Sequence, residues 1–345
     1  MRATFISPCL DTYGGDRVIG RYASGLAARG HDVRVVSVGE PKSTLFYEGL
    51  NTITLGHDAF PRSKADYVRA GWSLVRRVKD PGVIIPTWTP TLPLAVLLKA
   101  VRAGRRTVWL AQDYAEMFAN LPTEVWLLEA GARYCDAVIT ISTLCAEHLH
   151  AERHPGKVTI IHSGVDEVFF FDGVPKKRSE VLLFVGDPIP RKGWREFVTA
   201  WEGLRSTRPN LAFVIVCRRP PKDELPEGGT CLVGLSDEEV AEQYRRAAVY
   251  VCASHAEGWG LPALEAMASG TPVVTTLHGG CEAYARDGLN CLTAPVADSP
   301  ALQRGIARIL SDRALCERLI RAGRDTAGQY SWPSAIDRFE AVCSG

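Results

Sequence analysis

Two glutamates separated by seven residues flank a glycine-rich turn, in Glu257-Gly258-Trp259-Gly260-Leu261-Pro262-Ala263-Leu264-Glu265. Glycines let a ligand approach the backbone closely, and a helix opening just after them offers amides and a partial positive charge suited to phosphate. Pro262 at a first-turn position supports such an opening, because the N–H it lacks has no helical partner there. The stretch reads as an anion cradle with a carboxylate on either side. A carboxylate repels phosphate, so Glu257 and Glu265 suit the hydroxyls of a sugar or ribose. Arg191-Lys192 is a second candidate: two adjacent cations after a strand either stabilise developing negative charge or form a plain solvated turn.

The elements that must position these residues alternate along the chain. Short apolar runs give way to helical-period segments, the pattern of βαβ units and parallel sheets. Strands are expected at Ala3–Ser7, Asp32–Val38, Gly82–Pro86, Thr107–Ala111, Ala137–Ile141 and Val158–Ile161, and again at Val181–Val185, Ala212–Cys217, Cys231–Val233, Val249–Ala253, Pro272–Thr275 and Cys291–Ala294. Ser142 is expected to cap a helix running to about Glu152, and Ser236-x-x-Glu239 is a capping box. The polar stretch from Asp172 to Arg178 has the composition of a linker. The expected fold is α/β, with two Rossmann-like doubly wound domains facing a cleft, residues 1–170 and 171–330, and a C-terminal helix in 331–345 packing back on the first domain. Ligands of such sheets bind at the C-terminal ends of the strands.

The 345 residues are 46% hydrophobic and 23% charged with a net charge of +1, which sets aside disordered, collagenous and nucleic-acid-binding classes. Between Arg62 and Arg106, however, ten basic residues face two acidic ones. Within that segment Lys64 to Lys79 reads as an amphipathic helix, with Val68, Trp72, Val75 and Val78 on one side and Arg69, Arg76 and Arg77 on another. It is either an ordinary surface helix or a contact for anionic lipid or an anionic acceptor. The ten cysteines include no C-x-x-C pair and read as reduced, small core residues. The eight histidines are expected to be structural or solvent-exposed, with no metal site. No run reaches the length of a membrane span, and the N-terminus reads as a strand and not as a leader. The expected location is cytoplasmic, either free or peripheral at the inner face of the membrane.

Further motifs follow in order: Tyr13-Gly14-Gly15, Gly30-His31-Asp32-Val33, Ser163-Gly164-Val165-Asp166, Val185-Gly186 with Arg191-Lys192-Gly193, and His278-Gly279-Gly280-Cys281-Glu282 with Asp287-Gly288-Leu289-Asn290. Together with the paired glutamates, the chain resembles the retaining glycosyltransferases of family 4, of GT-B architecture, near their rhamnosyltransferase-like subset. The resemblance implies transfer of a hexose or deoxyhexose from a nucleotide-diphosphate sugar, UDP-, GDP- or dTDP-linked, to an acceptor hydroxyl with retention. The acceptor would be a carbohydrate, a lipid-linked or a small-molecule hydroxyl in polysaccharide, glycolipid or natural-product biosynthesis, with no obligatory cofactor. By the same resemblance Glu257, Lys192 and Arg191 are catalytic. Donor contacts fall to Gly14, Gly15, Gly186, Arg191, Lys192, Glu257, Gly258, Trp259, Gly260, Leu261 and Glu265, with Glu265 on the ribose. Tyr13, Trp88, Gln112, Asp113 and Tyr114 would meet the acceptor.

Two departures stand out. Asp187 follows Gly186 where the family usually has an arginine, which leaves Arg191 to supply the missing cation. Gln112-Asp113-Tyr114 stands where many members place a histidine; Gln112 is no acid or base, while Asp113 either assists proton removal or acts as a helix cap. Two other readings stay open: an epimerase or phosphorylase of the same architecture, and a catalytically weak nucleotide-sugar-binding subunit.

Overall fold

The computed structural model describes residues 1–58, 63–102, 105–118, 121–173, 180–221 and 223–345, without the side chain of Lys64. The expected linker at 172–178 lies outside them from residue 174 on. The chain divides into two units, Met1–Ser163 with Trp332–Gly345, and Gly164–Ser331.

In the first unit β1 (Arg2–Ser7), β2 (Asp32–Ser37), β3 (Asn51–Thr54) and β4 (Val83–Pro86) form a parallel sheet in the order β3-β2-β1-β4. A second parallel sheet contains β5 (Val108–Ala111), β6 (Ala137–Thr140) and β7 (Val158–Ile160). The Ile84 N–H donates to Arg106 O at 2.9 Å and joins the edges of the two sheets. β4, β5 and all but the last residue of β6 are continuous apolar runs, as suits parallel strands buried on both faces. The sequence reading has no strand at β3. Its Asn-Thr-Ile-Thr has one apolar residue, and pairing with β2 along a sheet edge holds it in place of burial. The helix capped by Ser142 is shorter than expected, Thr143–His148, because His150 takes a left-handed conformation, φ 50°, that an α-helix cannot continue through.

The C-terminal helix Trp332–Ser344 belongs to this unit. Phe339 stacks on Tyr22 with ring centroids 4.2 Å apart, and Trp332 meets the same ring edge-on at 5.6 Å. Arg29 pairs with Asp337 and Glu340 at 2.5 Å each. Residues 164–170, placed by the sequence reading in the first domain, lie with the second unit. Two hydrogen bonds tie them there, Val165 N–H to Tyr330 O at 2.9 Å and Ser269 Oγ to Phe169 O at 3.0 Å.

Four cations of the basic segment have partners within the unit. Lys99 pairs with Asp136 at 2.7 Å and Arg105 with Asp80 at 2.8 Å, while Arg102 and Arg106 donate to the carbonyls of Val75 and Val342. Arg62 lies outside the described residues. The helix Lys64–Arg77 also splits its apolar side: Leu74, Val75 and the following Val78 are buried, whereas Val68 and Trp72 are 55% and 63% exposed.

The second unit is a six-stranded parallel sheet of β8 (Val181–Val185), β9 (Ala212–Cys217), β10 (Gly229–Val233), β11 (Val249–Cys252), β12 (Val273–Thr276) and β13 (Leu292–Ala294), ordered β10-β9-β8-β11-β12-β13. Phe184, Phe197, Trp201 and Phe213 pack beside it with centroids 4.7 to 5.5 Å apart. The strand order reverses between β8 and β11, so the connections leaving these neighbours diverge. Doubly wound sheets bind ligands in the crevice at such a point.

Candidate functional site

The turn after β8 and the turn after β11 converge at this reversal. Gly193 makes the approach possible: it has φ +66°, and a Cβ there would fall 1.9 Å from the carbonyl oxygen of Ala253. The Pro190–Lys192 turn thereby reaches the end of β11, where Arg191 O accepts the His255 N–H at 2.8 Å. Lys192 Nζ then lies 2.5 Å from Glu257 Oε1, and Ser254 Oγ donates to the same oxygen at 2.6 Å. Arg191 Nη1 stands 3.7 Å from Glu257 Oε2 and donates to Ala256 O at 3.1 Å. A second clamp comes from the segment after β12, where Glu257 N–H donates to His278 O at 3.3 Å. At Gly280 a Cβ would come within 2.5 Å of Glu257 O, so the glycine pair 279–280 is what lets this backbone close on the glutamate turn.

Burial alone would push the Glu257 carboxyl upward. The charges of Lys192, His278 and Arg191 outweigh it and pull the group down to about 2, so Glu257 is ionised throughout the neutral range. His278 is 2% exposed. Its burial opposes protonation, but the negative charge of Cys252, whose thiol is itself pulled down to about 7 beside the imidazole, holds the proton on, well above the usual histidine range. Behind the glutamate the helix Leu261–Ala268 begins, with Pro262 in its first turn and its positive end at the glycine turn. Glu265, within that helix, is 6% exposed and accepts the Tyr244 hydroxyl at 3.0 Å.

Of the donor residues expected in this unit, the structure brings together Arg191, Lys192, Glu257 and the Gly258–Leu261 turn, with the Lys192 stem running along Gly186. Ser254, Tyr244 and His278 are absent from the sequence reading as site residues. Ser254 adjoins the motif and His278 opens the His278–Glu282 motif, so both were open to detection; Tyr244 reaches the site from another element and carries no local signal.

In the first unit Gly14 opens the helix Gly14–Ala28. Gly15 lies against Trp88, whose Cζ2 would be 2.8 Å from an added Cβ, and Gln112 Nε2 donates to Gly15 O at 3.4 Å. Gly14, Gly15, Trp88 and Gln112 therefore share one corner, with Tyr13 exposed beside them. Asp113 and Tyr114 are buried. The Asp113 carboxylate accepts the Thr89 N–H at 2.6 Å and holds the Trp88 loop, a capping role and not an exposed base. Burial pushes its carboxyl up to about 6. The folded chain thus keeps a proton that the unfolded chain releases, and stability falls as pH rises from about 4 through 6. Asp113→Asn keeps an acceptor for Thr89 without the charge. Its unfolding free energy from urea titration should exceed that of the wild type at pH 7.5, by on the order of 2 kcal/mol, and match it near pH 4.

His150 and His154 stand four residues apart, but they flank a 3-10 turn, Ala151–Arg153, and not a helix face. Among the described residues no group of three His, Cys, Asp or Glu is placed to hold a metal, and no helix is long and apolar enough to cross a membrane.

The family model for Glycosyltransferase Family 4 matches residues 13–169, and that for Glycosyl transferases group 1 matches residues 165–326. A glycogen synthase of Mycobacterium tuberculosis is 27% identical over 92% of this chain and 87% of its own length. A D-inositol 3-phosphate glycosyltransferase of Streptomyces avermitilis is 30% identical over 70% of this chain and 58% of that protein. Among solved structures, a sucrose-phosphate synthase from Thermosynechococcus elongatus superposes with TM-score 0.82 at 20% identity, covering 99% of this chain and 98% of that one. HepE of Anabaena, in complex with UDP-glucose, superposes with TM-score 0.85 at 15% identity, covering 100% and 99%.

Proposed function

The chain belongs to the family 4 glycosyltransferases, of GT-B architecture, and from that premise we propose that it moves a hexose or deoxyhexose from a nucleotide-diphosphate sugar to an acceptor hydroxyl with retention of configuration. One observation carries the reading. At the reversal of the six-stranded sheet, a carboxylate is held ionised by two cations beside the glycine turn that opens a helix. Cations and a helix N-terminus suit the leaving nucleoside diphosphate, and a fixed carboxylate suits the hydroxyls of the transferred sugar.

In this mechanism Lys192 and Arg191 stabilise the charge that grows on the departing phosphate. The anomeric C–O bond to phosphate breaks while the acceptor oxygen bonds to the same face, and the acceptor proton passes to the phosphate oxygen. Glu257 orients the sugar and Glu265 the ribose. Tyr13, Trp88 and Gln112 meet the acceptor. The UDP-glucose named for HepE supports a nucleotide-sugar donor, and the glycogen synthase and D-inositol 3-phosphate glycosyltransferase relatives support glycosyl transfer.

A thermal-shift panel of UDP-, GDP- and dTDP-sugars tests this. A donor at 100 times its Kd adds about 2.7 kcal/mol to stability and raises the melting temperature. No shift with any of them contradicts the donor reading. With the donor known, NMR of the product gives the anomeric configuration, and an inverted product rejects retention. Conversion of the donor sugar to its epimer without an acceptor would instead identify an epimerase.

A further inference from the structure

The loop after β8 carries an acidic residue where a phosphate-binding loop needs positive charge. Asp187 follows Gly186 and stands at the same end of the sheet as Arg191 and Lys192. Those two cations are already matched against Glu257, so Asp187 taken with them leaves these four side chains neutral. A neutral cluster does little for a diphosphate that gains charge as it departs.

The structure resolves this through β9. Gly186 N–H donates to Val216 O at 2.8 Å, extending the β8–β9 pairing beyond Val185 and setting Asp187 opposite the residue that follows β9, Arg218. Asp187 Oδ1 accepts the backbone N–H of Arg218 at 3.0 Å, and Oδ2 accepts its Nη2. One carboxylate thus fixes both ends of the same arginine, and the guanidinium is held with its side chain 32% exposed at the C-terminal edge of the sheet. An arginine loses much rotamer freedom on binding a ligand; prior fixation by Asp187 removes that cost from the binding step. With Arg218 counted, the five side chains carry one net positive charge.

The geometry points to Arg218 as a donor-diphosphate recognition residue, with Asp187 as the residue that positions it. The inference rests on the nucleotide-sugar reading above and adds a contact from a strand which that reading does not use. It also explains how an acidic Asp187 is compatible with a phosphate site: the acid serves the arginine and not the ligand.

Calorimetric titration of UDP, GDP and dTDP, each alongside its free nucleoside, tests the inference on the wild type, Arg218→Ala and Arg218→Lys. Arg218→Ala should weaken binding of the preferred diphosphate by roughly tenfold to a hundredfold, the worth of a charge-assisted hydrogen bond, and leave nucleoside affinity unchanged. Arg218→Lys, which keeps the charge, should recover part of the loss. A diphosphate affinity within about twofold of wild type in Arg218→Ala overturns the inference. So does an equal fall for diphosphate and nucleoside, which marks a contact to the base or a disturbed fold; a thermal unfolding curve separates these two. Binding of none of the nucleotides by the wild type rejects the donor reading itself, and this inference with it.

Discussion

Lys192→Ala is expected to reduce turnover by about 10²- to 10³-fold, the typical effect of removing one preorganised group that stabilises developing negative charge. The lysine has two tasks. It faces the leaving diphosphate in the proposed mechanism, and its ammonium, 2.5 Å from Glu257 Oε1, is the strongest of the charges that hold Glu257 ionised. Removing it also leaves a mostly buried carboxylate short of its counter-charge. The second task has a pH signature. In the wild type Glu257 sits at about 2, below its ordinary 4.5. Its ionised pairing therefore stabilises the fold fully above about pH 4.5, and that contribution, at most about 3 kcal/mol, is lost as pH falls toward 2. Lys192→Ala should flatten this acid-side loss and lower stability at neutral pH. Urea unfolding between pH 3 and 7 reads both effects. Wild-type turnover in the variant would remove Lys192 from the catalytic group, and an unchanged pH slope would remove it as the partner that sets Glu257.

Glu257→Gln is expected to lower kcat by roughly 10- to 100-fold, the loss of a charge-assisted hydrogen bond to the sugar in the transition state. Glutamine retains one acceptor for Ser254 Oγ and nearly the same volume, so the turn closed by Gly280 should survive. Donor KM should change by much less than kcat, because Lys192 and Arg191 lose a competing anion and bind the diphosphate at least as well. Glu265→Ala should show the opposite pattern. That residue lies inside the helix with Tyr244 on its carboxylate, and its loss should raise donor KM while kcat stays close to wild type. Steady-state kinetics with a saturating acceptor distinguishes the two. Equal kcat and KM effects in both variants would mean that the two glutamates do not divide the roles assigned to them.

Much of this was legible in the order of residues. The parallel strands were legible as apolar runs between helical segments, and β8 and β9 have the boundaries that pattern implies. The glycine turn between Glu257 and Glu265, with proline in the first turn of the helix, was legible because every part of it is local. The short edge strand β3 was not, since backbone pairing holds it and its side chains carry almost no apolar signal. The partners of the basic segment were not legible for a related reason: a charge sum along the sequence does not show that Asp80 pairs with Arg105, or that Asp136, outside the segment, pairs with Lys99.

By itself, then, the sequence determined the βαβ plan, the glycine turn that opens a helix between two glutamates, and the family, because periodicity, turn chemistry and motif spacing are properties of neighbours along the chain. Tertiary structure alone decided which groups meet. Lys192 and Glu257 are 65 positions apart and touch because β8 and β11 are adjacent where the strand order reverses. Asp187 finds Arg218 across the β8–β9 pair, and Asp113 is withdrawn from solvent by the Thr89 amide it caps. Pairing between strands joined by long crossovers depends on how two faces of a sheet are covered at once, and no local pattern encodes that.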